Sequence, residues 1–332
     1  MKNKIFNYDF LVVGAGLIGA LTALRLSQSN YKVLVVDKKR RPHKDNRTLA
    51  VNANSKDFLE QLGLWKKLKT HPEPINKIEI FDNTDTTPLV FENKDEPMGN
   101  VIFNYELLSI AQDSLMKKKI LFNNIDLPLT DVFESKIIKI DNKKYIFKHS
   151  ILCLGKNFNN KKIINKYTFE KNYKSYVGFF KHTKYHNQTA YEVFTPHGPL
   201  AILPSPHKSK KVSTFIYSSN KITSYENIKK LINKNFYSSH GKLSFNKKCY
   251  HFEILPHLSK PQSYNFFLIG DVLRSIHPVA GQGWNLGIKD IQQLMKLLGN
   301  HDLNNQNLLK RYYDKRSIES FGYLSFTNFL NT

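Results

Sequence analysis

Apolar residues in this chain follow two different rhythms. Tyr8-Asp9-Phe10-Leu11-Val12-Val13 and Tyr31-Lys32-Val33-Leu34-Val35-Val36 are short runs of branched and aromatic side chains, and each predicts a strand. Between them Ile18, Leu21 and Leu24 recur at helical spacing, which predicts a helix over Leu17–Ser27 and a strand-helix-strand unit. Phe58, Leu59, Leu62 and Trp65 form the stripe of a helix over Ser55–Leu68, and another helix is expected from Tyr105 to about Met116. Segments 75–91 and 173–217 change character. Tyr173–Phe180 and Val212–Tyr217 read as strands between Pro, Gly and His-rich turns. Phe266–Ile269 is a fully apolar strand that runs into Gly270-Asp271, and a helix follows from about Trp284 to Leu298. Phe321–Leu330 is a last apolar stretch without an obvious cap. With no internal repeat and no Gly/Ser linker, the pattern predicts an α/β part interrupted by mostly β insertions and resumed near the C-terminus.

The first turn of that unit carries chemistry. Gly14-Ala15-Gly16-Leu17-Ile18-Gly19 is G-x-G-x-x-G placed after a strand and at a helix start. Gly14 permits the tight turn, Gly16 lets a pyrophosphate approach the backbone, and Gly19 lets helix and strand pack closely. Free N–H groups of the first helical turn would face the phosphates. Asp37 ends the second strand, where an acid can accept hydrogen bonds from ribose hydroxyls and disfavours a 2′-phosphate. NAD or FAD fits this turn.

Composition changes the picture little. At 332 residues there is material for one large domain or two coupled ones, and 41% hydrophobic residues exclude disorder. The net charge is +23. Of the basic residues only Arg25, Arg40, Arg41, Arg47, Arg274, Arg311 and Arg316 are arginine, and the lysines are scattered among Asn and Ile. Nucleic-acid sites favour Arg, so the charge reads mainly as compositional drift, with an anionic membrane surface as the alternative partner and no nucleic acid expected. Cys153 and Cys249 are far apart and suggest neither a disulfide nor a zinc site; no metal site is expected. A reducing cytoplasm is the expected location. The uncharged run Phe10–Leu24 is too short to span a bilayer.

A second turn makes the nucleotide a flavin. After Gly270-Asp271 comes Ile276-His277-Pro278-Val279-Ala280-Gly281-Gln282-Gly283-Trp284-Asn285-Leu286-Gly287-Ile288-Lys289-Asp290. Asp271 at the mouth of an apolar strand can receive ribityl hydroxyls. The Gly-rich turn puts consecutive N–H groups at a helix start, suited to negative charge on a reduced isoalloxazine. This stretch resembles the signature of the FAD-dependent aromatic hydroxylases of the para-hydroxybenzoate hydroxylase type, and in particular their ubiquinone-biosynthesis branch. Arg47-Thr48-Leu49-Ala50-Val51 with Phe58–Trp65 is similar to a second block of that branch. Thr195-Pro196-x-Gly198-Pro199-x-Ala201-Ile202-Leu203-Pro204 resembles the strand that faces the flavin ring.

The resemblance implies a Rossmann-type FAD-binding domain with a parallel sheet and an interleaved, mostly-β substrate domain. It implies residues 1–70, 99–165 and 262–332 for the first, and 71–98 and 166–261 for the second. Gly14, Gly16, Gly19 and Asp37 would hold the ADP half of FAD. Arg47 and Asp271 would contact the cofactor further along, and Gly281, Gln282, Gly283, Trp284 and Asn285 would cradle the ring. Pro199 and Pro204 would stand on the substrate side. No catalytic residue is assigned; His277 is a turn residue or a base. The implied reaction is hydroxylation of a polyprenylated phenol or quinone precursor by O2 through a flavin C4a-hydroperoxide. The alternatives are a dehydrogenase or reductase of the same fold, or a non-catalytic component of a quinone-biosynthesis complex. A lipophilic substrate implies peripheral contact with the inner membrane. Two departures stand out. Leu154, in Cys153-Leu154-Gly155-Lys156, replaces the Asp of a pyridine-nucleotide block, which leaves the electron donor open between NAD(P)H and a redox protein. Asn104-Tyr105 stands where the family commonly has an Arg that helps hold the flavin.

Overall fold

A computed structural model describes residues 5–39, 47–82, 87–168, 173–247, 249–263, 265–276 and 282–329, the last range without 301, 302, 304 and 306. His277 and Gly281 lie outside the described residues.

The chain opens with β1 (Ile5–Val13), α1 (Leu17–Gln28) and β2 (Val33–Asp37). Phe10–Val13 and Val33–Val36 are buried throughout, which is why they read as continuous apolar runs. β1 pairs in parallel with β2 on one side and with the strand Lys143–Leu152 on the other. Beyond β2 lies Leu121–Asn123, and beyond Lys143–Leu152 lies Phe266–Leu268, all parallel. The long strand Lys143–Leu152 has mixed charged and apolar residues along its length, and sequence pattern did not single it out. The register aligns Val13 with both Val36 and Leu152, and Leu152 with Leu268. The residues that follow, from Gly14, Asp37, Cys153 and Ile269 onward, therefore emerge along one carboxyl edge. That edge is where ligands of open α/β sheets bind.

β3 (Thr48–Asn52) leads into α2 (Ala53–Gln61), whose N-cap Asn52 accepts from the Ser55 amide. The helix stops well short of Leu68. Gly63 takes φ +65°, and the Gly63 and Leu64 amides donate back to the Glu60 and Leu59 carbonyls. A left-handed glycine closes the last turn, so Trp65 joins the core from a short 3-10 turn instead. α3 (Asn104–Lys117) extends the expected helix by a residue at each end. α4 (Leu129–Ser135) precedes the hairpin Ile137–Leu152.

The second large sheet holds eight strands drawn from 77–92 and 173–254. α5 (Tyr225–His240) lies on one face, with Ile228, Ile232 and Phe236 against Tyr176, Phe180, Leu200, Ile202, Phe215 and Tyr217. Residues of odd number on the central strand Tyr173–His182, such as Ser175 and Val177, point the other way. α6 (Gln282–Asn300) and α7 (Leu308–Phe329) complete the fold. The stretch Phe321–Leu330 is for the most part the end of α7, where Leu324 is buried while Phe321 and Phe326 are exposed. α7 also closes the open edge of the parallel sheet: Tyr313 accepts from the Leu268 amide and donates to the Phe266 carbonyl, and Tyr312 donates to the Leu268 carbonyl. An unpaired strand edge is thereby covered. Among the described residues, no helix is long and apolar enough to cross a membrane.

Beneath the second sheet, His182, His186 and His240 are buried beside Glu73 and Phe180. His182 donates from Nδ1 to the Lys184 carbonyl and its Nε2 is hydrogen-bonded to Ser213 Oγ, while burial lowers its pKa and favours the neutral ring. Burial, with neighbouring His182 and Lys210 adding repulsion, lowers His186 to about 4. Burial and the other two imidazoles lower His240 to about 3. The unfolded chain takes up these protons near pH 6.5, whereas the folded chain resists until pH 4 to 3. Stability from this cluster is therefore complete above pH 6.5 and is lost as pH falls below it. Urea midpoints measured between pH 8 and 5 should fall less steeply in a His186→Gln, His240→Gln double variant than in the parent protein. Equal slopes would show that the imidazoles do not stay neutral.

Candidate flavin site

One cavity of about 480 Å3 opens at the carboxyl edge of the parallel sheet and runs to the second sheet. Gly16, Leu17 and Ile18 form one end, and Asp271, Gly283 and Trp284 line it further along. Ser175, Val177, Leu203 and Ile216 close it from the second sheet. The start of α1 thus shares one space with Asp271 and with Gly283 and Trp284 at the start of α6.

Each motif glycine has its own reason. Gly14 has φ +99°, and a Cβ there would stand 2.6 Å from the Cys153 carbonyl oxygen. A Cβ on Gly19 would meet the Gly14 carbonyl oxygen at 1.9 Å, so this residue keeps helix against strand. Gly16 is different: nothing lies within 4 Å of its missing side chain, which leaves open room at the cavity wall. It is also the N-cap of α1, with no side-chain cap and no acid in the first turn. The uncapped N–H groups and their dipole are left for an anion. Asp37 at the end of β2 accepts from the Ala15 amide at 2.6 Å and the Lys39 amide at 2.7 Å. It therefore fastens the phosphate-type turn, and a carboxylate has lone pairs to spare for ribose hydroxyls.

The two segments that flank the second turn, Gly270–Ile276 and α6, are pinned from several sides. Ile18 of α1 packs where Cβ atoms on Gly270 and Gly287 would stand, at 3.1 Å and 2.6 Å from its side chain. Asp290, fully buried, accepts from the Gly270 amide at 2.9 Å, from Arg274 at 2.8 Å and from Arg316 at 2.6 Å. Trp284 and Asn285 both donate to the Ala50 carbonyl, at 3.1 Å and 2.9 Å, which ties the start of α6 to β3. Asn285 is thus buried in a structural bond. Gln282 begins α6, and Gly283 and Trp284 line the cavity.

Arg47, just before β3, lines the cavity with its guanidinium 5.6 Å from the Phe252 ring. Asp271 faces the cavity and is exposed to it, yet protein atoms crowd its carboxyl, and that desolvation raises its pKa against the pull of Lys156 and Arg274. Cys153 lines the cavity as a neutral thiol, since burial pushes it up to about 12. Of the pair Asn104-Tyr105, Asn104 is buried in the cavity wall, whereas Tyr105 packs beside Phe103. On the strand Gly198–Pro204, alternation places Pro199 on the same face as cavity-lining Leu203. Pro204 falls with Leu200 and Ile202 on the face covered by α5. Sequence reasoning missed Lys156, Ser175, Val177, Ile216 and Phe252, because they come from a turn and from strands brought together across long separations.

The cradle, the uncapped helix start, the acid-tied turn and the shared cavity fit an extended dinucleotide with a ring at its far end. The fold and site define a flavin-binding oxidoreductase. A family model described as an FAD binding domain matches residues 7–122 and 219–320, more than half of the chain, and the chain belongs to that family. Its cofactor is FAD. Ubiquinone hydroxylase UbiM of Neisseria meningitidis is 24% identical over 358 residues, covering 97% of this chain and 76% of its own length. The mitochondrial ubiquinone biosynthesis monooxygenase COQ6 of Caenorhabditis elegans is 25% identical over 370 residues, covering 90% and 81%. In structure, p-nitrophenol 4-monooxygenase PnpA of Pseudomonas putida matches with a TM-score of 0.71 at 14% identity, over 99% of this chain and 89% of that one. A flavoprotein/dehydrogenase from Cytophaga hutchinsonii matches at 0.71 and 13%, over 98% and 86%.

The two glycines separate binding from folding. Gly16→Leu should weaken FAD binding more than about tenfold while the apoprotein melts within about 2 °C of the parent. Gly19→Ala should cost about 1–3 kcal/mol of stability even without cofactor. Fluorescence titration of apoprotein with FAD and thermal melts give both readings; normal FAD affinity in the Gly16 variant would remove Gly16 from the site.

Proposed function

We propose that the protein is an FAD-dependent monooxygenase that hydroxylates the aromatic ring of a polyprenylated phenol or quinone precursor in ubiquinone biosynthesis. The observation that carries this reading is the single cavity between the two turns and the apolar far wall. Bound FAD supplies activation of O2 and delivery of one oxygen atom to an electron-rich ring. Val177, Leu203 and Ile216, with Pro199 on the same face, offer an apolar surface for the substrate ring and keep water from it. Gly16 and the start of α1 receive the diphosphate, and Asp37 and Asp271 accept from sugar hydroxyls. Arg47 sits along the same wall, and Gly283 and Trp284 border the ring. No side chain is assigned as base.

We divide the chain accordingly. Residues 1–70, 99–165 and 262–332 carry the cofactor, and 71–98 and 166–261 carry the substrate wall, which is supported by the membership of the two large sheets. The names of the relatives support a quinone-type substrate. A polyprenylated substrate would bring the protein against the inner membrane from the cytoplasmic side. Exposed Ile318, Phe321 and Phe326 on α7 support that contact.

Lipid extracts of a deletion strain should accumulate a quinone precursor one ring hydroxyl short. Restoring the gene under isotopically heavy O2 should place one heavy oxygen in that ring. Unchanged quinone content, or a ring oxygen drawn from water, would contradict the proposal.

A further inference from the structure

Lys156 belongs to none of the motifs. It follows Gly155, which has φ +74° and open space around it, two residues beyond the buried Leu152–Cys153 end of the strand Lys143–Leu152. That strand lies between β1, which leads into the Gly14–Gly19 turn, and Phe266–Leu268, which leads into Gly270-Asp271. Whatever spans the two turns must cross in front of this strand end. Lys156 lines the cavity there. Its Nζ donates to the Glu253 carbonyl at 2.5 Å and lies 5.9 Å from the Phe252 ring, whose other neighbour is Arg47 at 5.6 Å. An ammonium has three donors, so two remain. The charged side chains lining the cavity among the described residues are Arg47, Lys156 and Asp271, an excess of positive charge.

We propose that Lys156 is a cofactor-binding residue, whose ammonium binds the diphosphate of FAD midway between the two turns. This rests on the flavin reading above. Burial lowers the Lys156 pKa and Asp271 counters it, so the ammonium is held partly desolvated and gains from an arriving anion. The residue sits two positions after Leu154, which stands where the resemblance would put an acid, and a cation there changes what that edge attracts.

The test is FAD binding to apoprotein, followed by flavin fluorescence, in the parent protein, Lys156→Met and Lys156→Arg. Ionic strengths of about 0.01 M and about 1 M give screening lengths of about 30 Å and 3 Å. Lys156→Met should weaken FAD about tenfold or more at low salt, with the gap narrowing at high salt, and Lys156→Arg should recover most of the loss. The inference is overturned if Lys156→Met binds within about twofold of the parent at low salt. It is also overturned if the loss is equal at both salts and Lys156→Arg is no better, which marks lost packing. Parent protein that fails to bind FAD at all would instead remove the flavin reading, and this proposal with it.

Discussion

Ile18 touches the backbone of two segments that lie more than two hundred and fifty residues further along the chain, and the site exists because nothing stands between them. A Cβ on Gly287 would come within 2.6 Å of its side chain, and one on Gly270 within 3.1 Å. Through that contact the first turn of α1 and the first turns of α6 share one cavity wall. Asp290 fixes the far side of the arrangement. It gathers the Gly270 amide, Arg274 and Arg316 in a fully buried position. Removing one partner from such a buried charge set costs about 3–5 kcal/mol, since the remaining charges are left unpaired. The turn that presents Asp271 is thus rigid before any cofactor arrives, and preorganised groups bind without a reorganisation cost.

Much of this was legible in the sequence where the signal is local. The β1–α1–β2 unit, Gly14, Gly16, Gly19 and Asp37 follow from neighbouring residues alone. The strand Phe266–Leu268 and α6 were read from an apolar run and a Gly-rich turn. The convergence of the two turns was legible only by resemblance. Long-range facts were out of reach. Asn285 was expected at the ring; its amide bonds the Ala50 carbonyl, a link that no spacing rule reveals between residues that far apart. Asp37 was expected to face ribose, and it also ties the Ala15 amide. The helix after Asn52 ends at Gly63 because a left-handed glycine outweighs the apolar stripe that continues to Trp65. Pro204 shares a strand with Pro199 but falls on the opposite face, a distinction that register alone decides.

The second sheet does two jobs with its two faces. Tyr176, Phe215 and Tyr217 seat α5 and give the sheet its own core, while Ser175, Val177 and Ile216 on the opposite side close the cavity. One-residue alternation therefore links the stability of this half of the chain to the shape of the cavity. Changes that shift the register of Tyr173–His182 would move both at once.

The central claim is that the two turns grip a single FAD. A crystal structure of the protein with FAD bound measures it directly. One cofactor is expected, with its diphosphate at Gly16 and the start of α1 and its ring beside Gly283 and Trp284. Cofactor found away from either turn, or two separate ligands at the two turns, would contradict it.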